Sequence, residues 1–161
     1  MKKDIIFLCQ YFYPENVSSS ILPFQTAKHL SENGFSVSVL TGKSKKYNNL
    51  KNIKNNEIVD GIHIKRVNYL NFKSKNKILR LLTYLSYVVM TYSKLNFIRK
   101  HKLIIVYSNP PILPKIALLA NKLFKTKIMF VSYDVYPEIA INMESIKKNG
   151  IIAKSTRKMN D

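Results

Sequence analysis

Glycine, cysteine and acidic side chains are all scarce in this chain. Four glycines are spread over 161 residues and none precedes Gly34, so the loop after the first apolar run holds no glycine-rich cradle for a phosphate. The single cysteine, Cys9, lies inside an apolar run and has no intrachain partner. That excludes a disulfide framework or a zinc site built on cysteines and fits a reduced, cytoplasmic setting. His29, His63 and His101 share no ligand spacing with one another or with Cys9, so no metal site is expected. The opening run "MKKDIIFLCQYFYP" is broken at Asp4 and Gln10, too soon for a secretory leader. The longest apolar segment, residues 78–98, contains Arg80, Lys94 and several hydroxyls, and falls short of the roughly 20 apolar residues of a membrane span.

Nine Asp and Glu stand against 27 Lys and Arg, a formal charge of +18. Such an excess attracts nucleic acid, anionic lipid or phosphorylated substrates. It also follows, without any partner, from a chain crowded throughout with Lys, Asn and Ile, as AT-rich coding sequence produces. At 46% hydrophobic residues, the chain can bury the core of one ordinary domain.

The apolar runs read as buried strands. "DIIFLCQ", "FSVSVLTG", "KLIIVYS" and "KTKIMFVSYD" are short and bounded by polar residues, as in a parallel sheet covered on both faces. Between the first two, Ile21, Phe24, Ala27 and Leu30 recur at helical spacing until Gly34 closes the helix. Residues 42–56 are polar and basic and are expected to form a surface loop. Asp60-Gly61 between two β-rich runs predicts a hairpin. One long helix is expected over residues 75–100, with Leu79, Leu82, Leu85, Val89 and Tyr92 packed on the sheet, and with His101 at its end. A proline-opened helix covers residues 110–124, and a last helical stretch follows residue 138. Alternating helices and strands define an α/β, Rossmann-like, doubly wound and mostly parallel sheet.

Ligands of such sheets bind beyond the carboxyl ends of the strands. Three proline-bearing segments fall there: "YFYPENVSSS", "SNPPILP" and "YDVYPE". Proline stiffens each loop, and Tyr13-Pro14-Glu15 and Tyr136-Pro137-Glu138 repeat one theme. Tyrosine offers a face on which a sugar stacks, and glutamate accepts from substrate hydroxyls. One of Ser18, Ser19 and Ser20 is expected to cap the helix, whose free amides suit a phosphate. The plainer alternative is that the serines only cap and the tyrosines only pack. Likewise Asp134 and Glu138 either act in the cleft or cap the helix that follows.

"QYFYPENVSSSILPFQTAKHLSENGFSVSVLTG" resembles the first βαβ unit of family 4 glycosyltransferases with the GT-B fold, particularly those that build bacterial surface polysaccharides. "SNPPILPKIALLANKLFKTKIMFVSYDVYPE" resembles the same enzymes further on, where a Pro-Pro loop, a helix, a strand and an Asp-x-(Trp/Tyr)-Pro-Glu motif follow in order. The likeness spans essentially residues 1–161. It implies an N-terminal acceptor-binding domain of a retaining hexosyltransferase for capsule, O-antigen or a related polysaccharide. The donor, a nucleotide-diphosphate sugar, would be bound by a second Rossmann-like domain carrying Glu-x7-Glu, expected to lie outside this chain, so the chain alone is expected to be inactive. No cofactor and no metal are implied. Asp134 takes the catalytic role, with Tyr13, Glu15, Ser18, Ser19, Ser20, Asn109 and Glu138 lining the substrate cleft. The acceptor would be a lipid-linked saccharide at the cytoplasmic face of an anionic membrane, on which the basic ends of the long helix would dock. Two departures stand out. Ser18-Ser19-Ser20 replace a Gly-Gly pair common in relatives, and Tyr133 replaces a histidine before Asp134. The rival readings are a basic nucleic-acid-binding module, which lacks a recognised motif, and a non-catalytic membrane-associated protein.

Overall fold

The computed structural model describes residues 2–43, 53–72 and 76–132. Strand β1 (Lys3–Leu8) sits at the centre of a six-stranded sheet, with helix α1 (Ser18–Glu32) leading to its neighbour β2 (Val37–Gly42). A hairpin of β3 (Asn56–Val59) and β4 (Ile62–Val67) extends the sheet beyond β2. Helices α2 (Lys77–Tyr92) and α3 (Leu95–Ile98) carry the chain back to β5 (His101–Tyr107) on the other side of β1. Helix α4 (Pro114–Phe124) then leads to β6 (Lys127–Val131) at the far edge. The order is β3-β4-β2-β1-β5-β6, parallel except for β3. This is the expected Rossmann-like, doubly wound topology.

The continuous apolar runs are explained by burial on both faces. Side chains alternate across a strand, so Ile6 and Leu8 join Leu40, Ile104 and Val106 in one core, while Ile5 and Phe7 join Val37, Val39 and Ile105 in the other. Burying each such side chain contributes about 1.5–3 kcal/mol. Ala27 of α1 closes the second core, and Tyr87 of α2, Ile98 of α3 and Ile116, Ala117 and Ala120 of α4 close the first. The helices therefore lie on opposite faces. The hairpin turns where the Asp60-Gly61 pair predicts, with both residues at positive φ and Val59 opposite Ile62, as a type I′ turn requires.

The long helix departs from expectation in three ways. It breaks at Ser93 and Lys94, where the Ser93 hydroxyl donates to the Met90 carbonyl at 2.7 Å and the Lys94 amide closes a tight turn onto Thr91 at 2.9 Å. A serine hydroxyl competing for backbone carbonyls ends the ladder there. His101 is not at the end of a helix but opens β5, fully buried. Third, the wrong face was expected inside. Leu82, Leu85, Val89 and Tyr92 are exposed, together with Ile78 and Leu81, while Thr83, Tyr87 and Thr91 are buried.

The hydroxyls tolerate burial because the backbone satisfies them. Thr83 donates to the Leu79 carbonyl at 2.9 Å, Thr91 to that of Tyr87 at 2.9 Å, and Tyr87 to that of Cys9 at 2.8 Å. Ser86 on the same side accepts from the Leu70 amide at 3.1 Å. The inward face of α2 thus holds down the chain entering the helix and the loop leaving β1.

Candidate functional site

The chain leaves β1 towards β2 and returns to β5 on the opposite side, so strand order reverses between β1 and β5. Leu8 pairs with Val106 near the carboxyl ends of these strands. The loops of residues 9–17 and 108–113 therefore start side by side at the switch point, where doubly wound sheets bind ligands. Both carry a cis proline, Pro14 after Tyr13 and Pro110 after Asn109.

The first loop is packed, not open. Phe12 is buried and meets Phe24 edge-on at 5.6 Å, and Tyr13 stacks on the same ring at 5.1 Å with its outer side exposed. Glu15 is buried, and its amide bonds the Phe12 carbonyl at 3.1 Å. The three serines form the first turn of α1, exposed at Ser18, half-buried at Ser19 and buried at Ser20. None of them is the N-cap. Val17 occupies that position in an extended conformation, and no side chain caps the helix, so the first-turn amides lack the side-chain acceptor that a serine cap supplies. Asn109 is half-buried in the second loop. Asp134 and Glu138, and the whole third loop, lie outside the described residues.

Four residues that build the site escaped sequence reasoning. Gln10 is 1% exposed. Its carbonyl receives the Gly42 amide at 3.1 Å and the Thr41 hydroxyl at 3.2 Å, yet neither atom of its side-chain amide has a hydrogen-bond partner. A buried amide with donor and acceptor both unmet is a place for a water or a ligand hydroxyl. Gly42 lets two elements close together: a Cβ there would stand 2.5 Å from the Tyr69 ring and 2.9 Å from the Gln10 carbonyl. Arg66 of β4 is buried, with its guanidinium 2.6 Å from Glu57, donating to the carbonyls of Lys54 at 2.9 Å and Tyr13 at 2.6 Å. It pins the Tyr13 loop to the hairpin. Tyr87 pins Cys9 from the opposite face of the sheet.

Burial raises both the Cys9 thiol and the Tyr87 phenol well above their ordinary ranges. Neither is a nucleophile near neutral pH. Among the described residues, no group of His, Cys, Asp and Glu is placed to hold a metal ion, and no helix is long and apolar enough to cross a membrane. What the site offers is hydrogen-bonding chemistry: an exposed tyrosine face, serine hydroxyls, an asparagine and a buried glutamine amide.

Fold and site together define a class, a Rossmann-like α/β domain with two polar, proline-bearing loops side by side at its switch point. No protein-family model matches the chain, and no curated protein matches it at a significant level.

Proposed function

We propose that this chain is the acceptor-side domain of a nucleotide-sugar-dependent, retaining glycosyltransferase of the family 4 type, acting in capsule, O-antigen or other surface polysaccharide assembly. The supporting observation is that the two proline loops carrying the family resemblance start side by side at the switch point of β1 and β5. In this reading Tyr13 offers a stacking face, while Ser18, Ser19 and Asn109 meet acceptor hydroxyls. Glu15 and Ser20, both buried, shape the loop from beneath. Gln10 adds an amide able to donate to and accept from one sugar edge. Asp134 takes the catalytic role and Glu138 the substrate-binding one. The donor sugar arrives on a second domain, and no cofactor or metal is called on.

The experiment is reconstitution. Supplied with a nucleotide-sugar-binding domain, the chain transfers sugar to farnesyl-diphosphate-linked N-acetylglucosamine, and Asp134→Asn abolishes the transfer. Transfer by the purified chain alone, or undiminished transfer by the Asp134→Asn protein, contradicts the reading.

Residence on the cytoplasmic face of the membrane belongs to the same proposal. Helix α2 supports it, because Ile78, Leu82, Leu85, Val89 and Tyr92 form an exposed apolar stripe along one face. Lys77, Arg80 and Lys94 lie on or beside that helix, and no acidic residue occurs between Asp60 and Asp134. Apolar side chains enter the bilayer interface, and each cation near an anionic surface adds about 1 kcal/mol.

A further inference from the structure

At the opposite end of the sheet, the amino ends of β1 and β5 border a concavity. It has a volume of about 550 Å³ and is lined by Lys2, Lys3, Phe97, Arg99, Lys100 and His101, within the range of roughly 300–1,000 Å³ for small-ligand sites. The fold assembles it from two segments. Lys3 pairs in register with His101, the Lys3 amide donates to the Lys100 carbonyl at 2.8 Å, and α3 delivers Phe97 directly before the strand. Four cations thus border one hollow, and among the described residues no carboxylate lines it. The nearby Asp4 is engaged elsewhere, with Lys102 at 2.7 Å and the Ser36 hydroxyl at 2.9 Å.

His101 supplies an independent pointer. Its side chain is fully buried, with Nδ1 3.1 Å from the Phe97 carbonyl and 3.3 Å from that of Ile98. Both contacts are to acceptors, so Nδ1 carries the proton and donates, leaving Nε2 as the lone-pair nitrogen. Nε2 is buried and has no partner. Such an orphaned polar atom is rare in a native fold. Burial, Lys3 and His63 together hold the imidazole neutral, with its pKa lowered to about 4.

We propose that this hollow is an anion site that takes a phosphate or diphosphate group, with Lys2, Lys3, Arg99 and Lys100 meeting its oxygens and His101 as the buried partner. A guanidinium and ammonium groups around a phosphate form charge-assisted bonds. The bound anion favours the protonated imidazole, whose Nε2–H then donates. The site lies at the other end of the strands from the switch point and stands independently of the function proposed above.

Calorimetric titration of the full chain with inorganic pyrophosphate tests it. Saturable binding that weakens with added salt is expected, with the His101 ring resonance titrating at higher pH in the complex. Lys3→Glu with Arg99→Glu, both exposed positions, weakens binding by roughly tenfold or more. Lys115→Glu with Lys122→Glu, exposed on α4 and equal in net charge change, leaves it unaltered. Equal weakening by both pairs, or no saturable binding, overturns the proposal. Phosphatidylcholine vesicles with and without phosphatidylglycerol identify the source. Phosphatidylglycerol-dependent binding that pyrophosphate displaces and Lys3→Glu/Arg99→Glu abolishes points to a lipid headgroup; pyrophosphate binding without it points to a soluble phosphate.

Discussion

Helices α1 and α2 cover opposite faces of the same sheet and do so by different means. Helix α1 turns the small residues Ser20, Pro23 and Ala27 inwards and leaves Thr26, Lys28 and His29 at or near solvent, together with Leu22 and with Ile21, which helical spacing had placed on the packed face. Helix α2 turns Thr83, Tyr87 and Thr91 inwards and shows its leucines to the outside. The difference lies in what each helix must hold. Beneath α2 runs the Cys9 carbonyl, a backbone group that needs a partner, and the buried Tyr87 hydroxyl supplies it, while Thr83 and Thr91 bond carbonyls of their own helix. An unmet buried backbone group costs about 1–3 kcal/mol. A leucine in place of Tyr87 would leave that carbonyl without its donor, so the hydroxyl-bearing face lies inside and the apolar stripe is exposed.

The sharpest way to break this contrast is to truncate the anchor. Tyr87→Ala is expected to cost about 3–5 kcal/mol in denaturant unfolding, and Tyr87→Phe about 1–3 kcal/mol, since the Cys9 carbonyl loses its donor. Leu85→Ala on the exposed side should stay within about 0.5 kcal/mol. Equal costs for Tyr87→Ala and Leu85→Ala would mean that the faces are reversed. Next in size is Gly42→Ala, which forces a methyl against the Tyr69 ring and the Gln10 carbonyl and should cost about 1–3 kcal/mol by the same assay.

Acid should loosen the fold through His101. Its folded pKa of about 4 lies below the ordinary 6.5, so the unfolded chain takes up a proton first. Stability is therefore full above about pH 6.5 and declines as pH falls towards 4. His63, also lowered by burial, acts in the same direction. Asp4 follows at lower pH: its bond from Lys102 holds its pKa at about 2 against 3.8, and that contribution is lost between those values. A His101→Gln protein should show a flatter profile of unfolding midpoint between pH 4 and 6.5; an unchanged slope would remove His101 from the account. The smallest effect on stability belongs to Leu82→Gln, Leu85→Gln and Val89→Gln combined. These exposed changes should leave the unfolding midpoint nearly unmoved while abolishing co-sedimentation with phosphatidylglycerol vesicles. Retained sedimentation would assign membrane contact to another surface.

Much of this architecture was legible. The runs around Phe7, Val39 and Ile105 are apolar on both faces because the sheet is covered on both, and the Asp60-Gly61 pair announces its turn. Alternation of helices and strands put the two proline loops beyond the carboxyl ends of their strands, but the strand order that sets β1 beside β5 was not legible. What could not be read depends on partners distant in sequence. Helical spacing put Leu82, Leu85 and Val89 on one face correctly but could not say which face a carbonyl 78 residues away would claim. Arg66 looked like one basic residue among 27 until its bond to the Tyr13 carbonyl gave it a place. The cap failed for a local reason. A serine was expected at the boundary, but the helix begins one residue earlier, so all three serines fall inside it and Val17 takes the cap.

The central proposal is that the loops at the carboxyl ends of β1 and β5 receive a sugar acceptor. The most direct measurement is amide and side-chain NMR of the chain titrated with farnesyl-diphosphate-linked N-acetylglucosamine, alongside Gln10→Leu and Tyr13→Ala. The account predicts shifts concentrated at Gln10, Tyr13, Ser18, Ser19 and Asn109, moved by the saccharide and not by farnesyl diphosphate alone, and lost in both variants. Saccharide-dependent shifts elsewhere, or unaltered binding by the Gln10→Leu and Tyr13→Ala proteins, would contradict it.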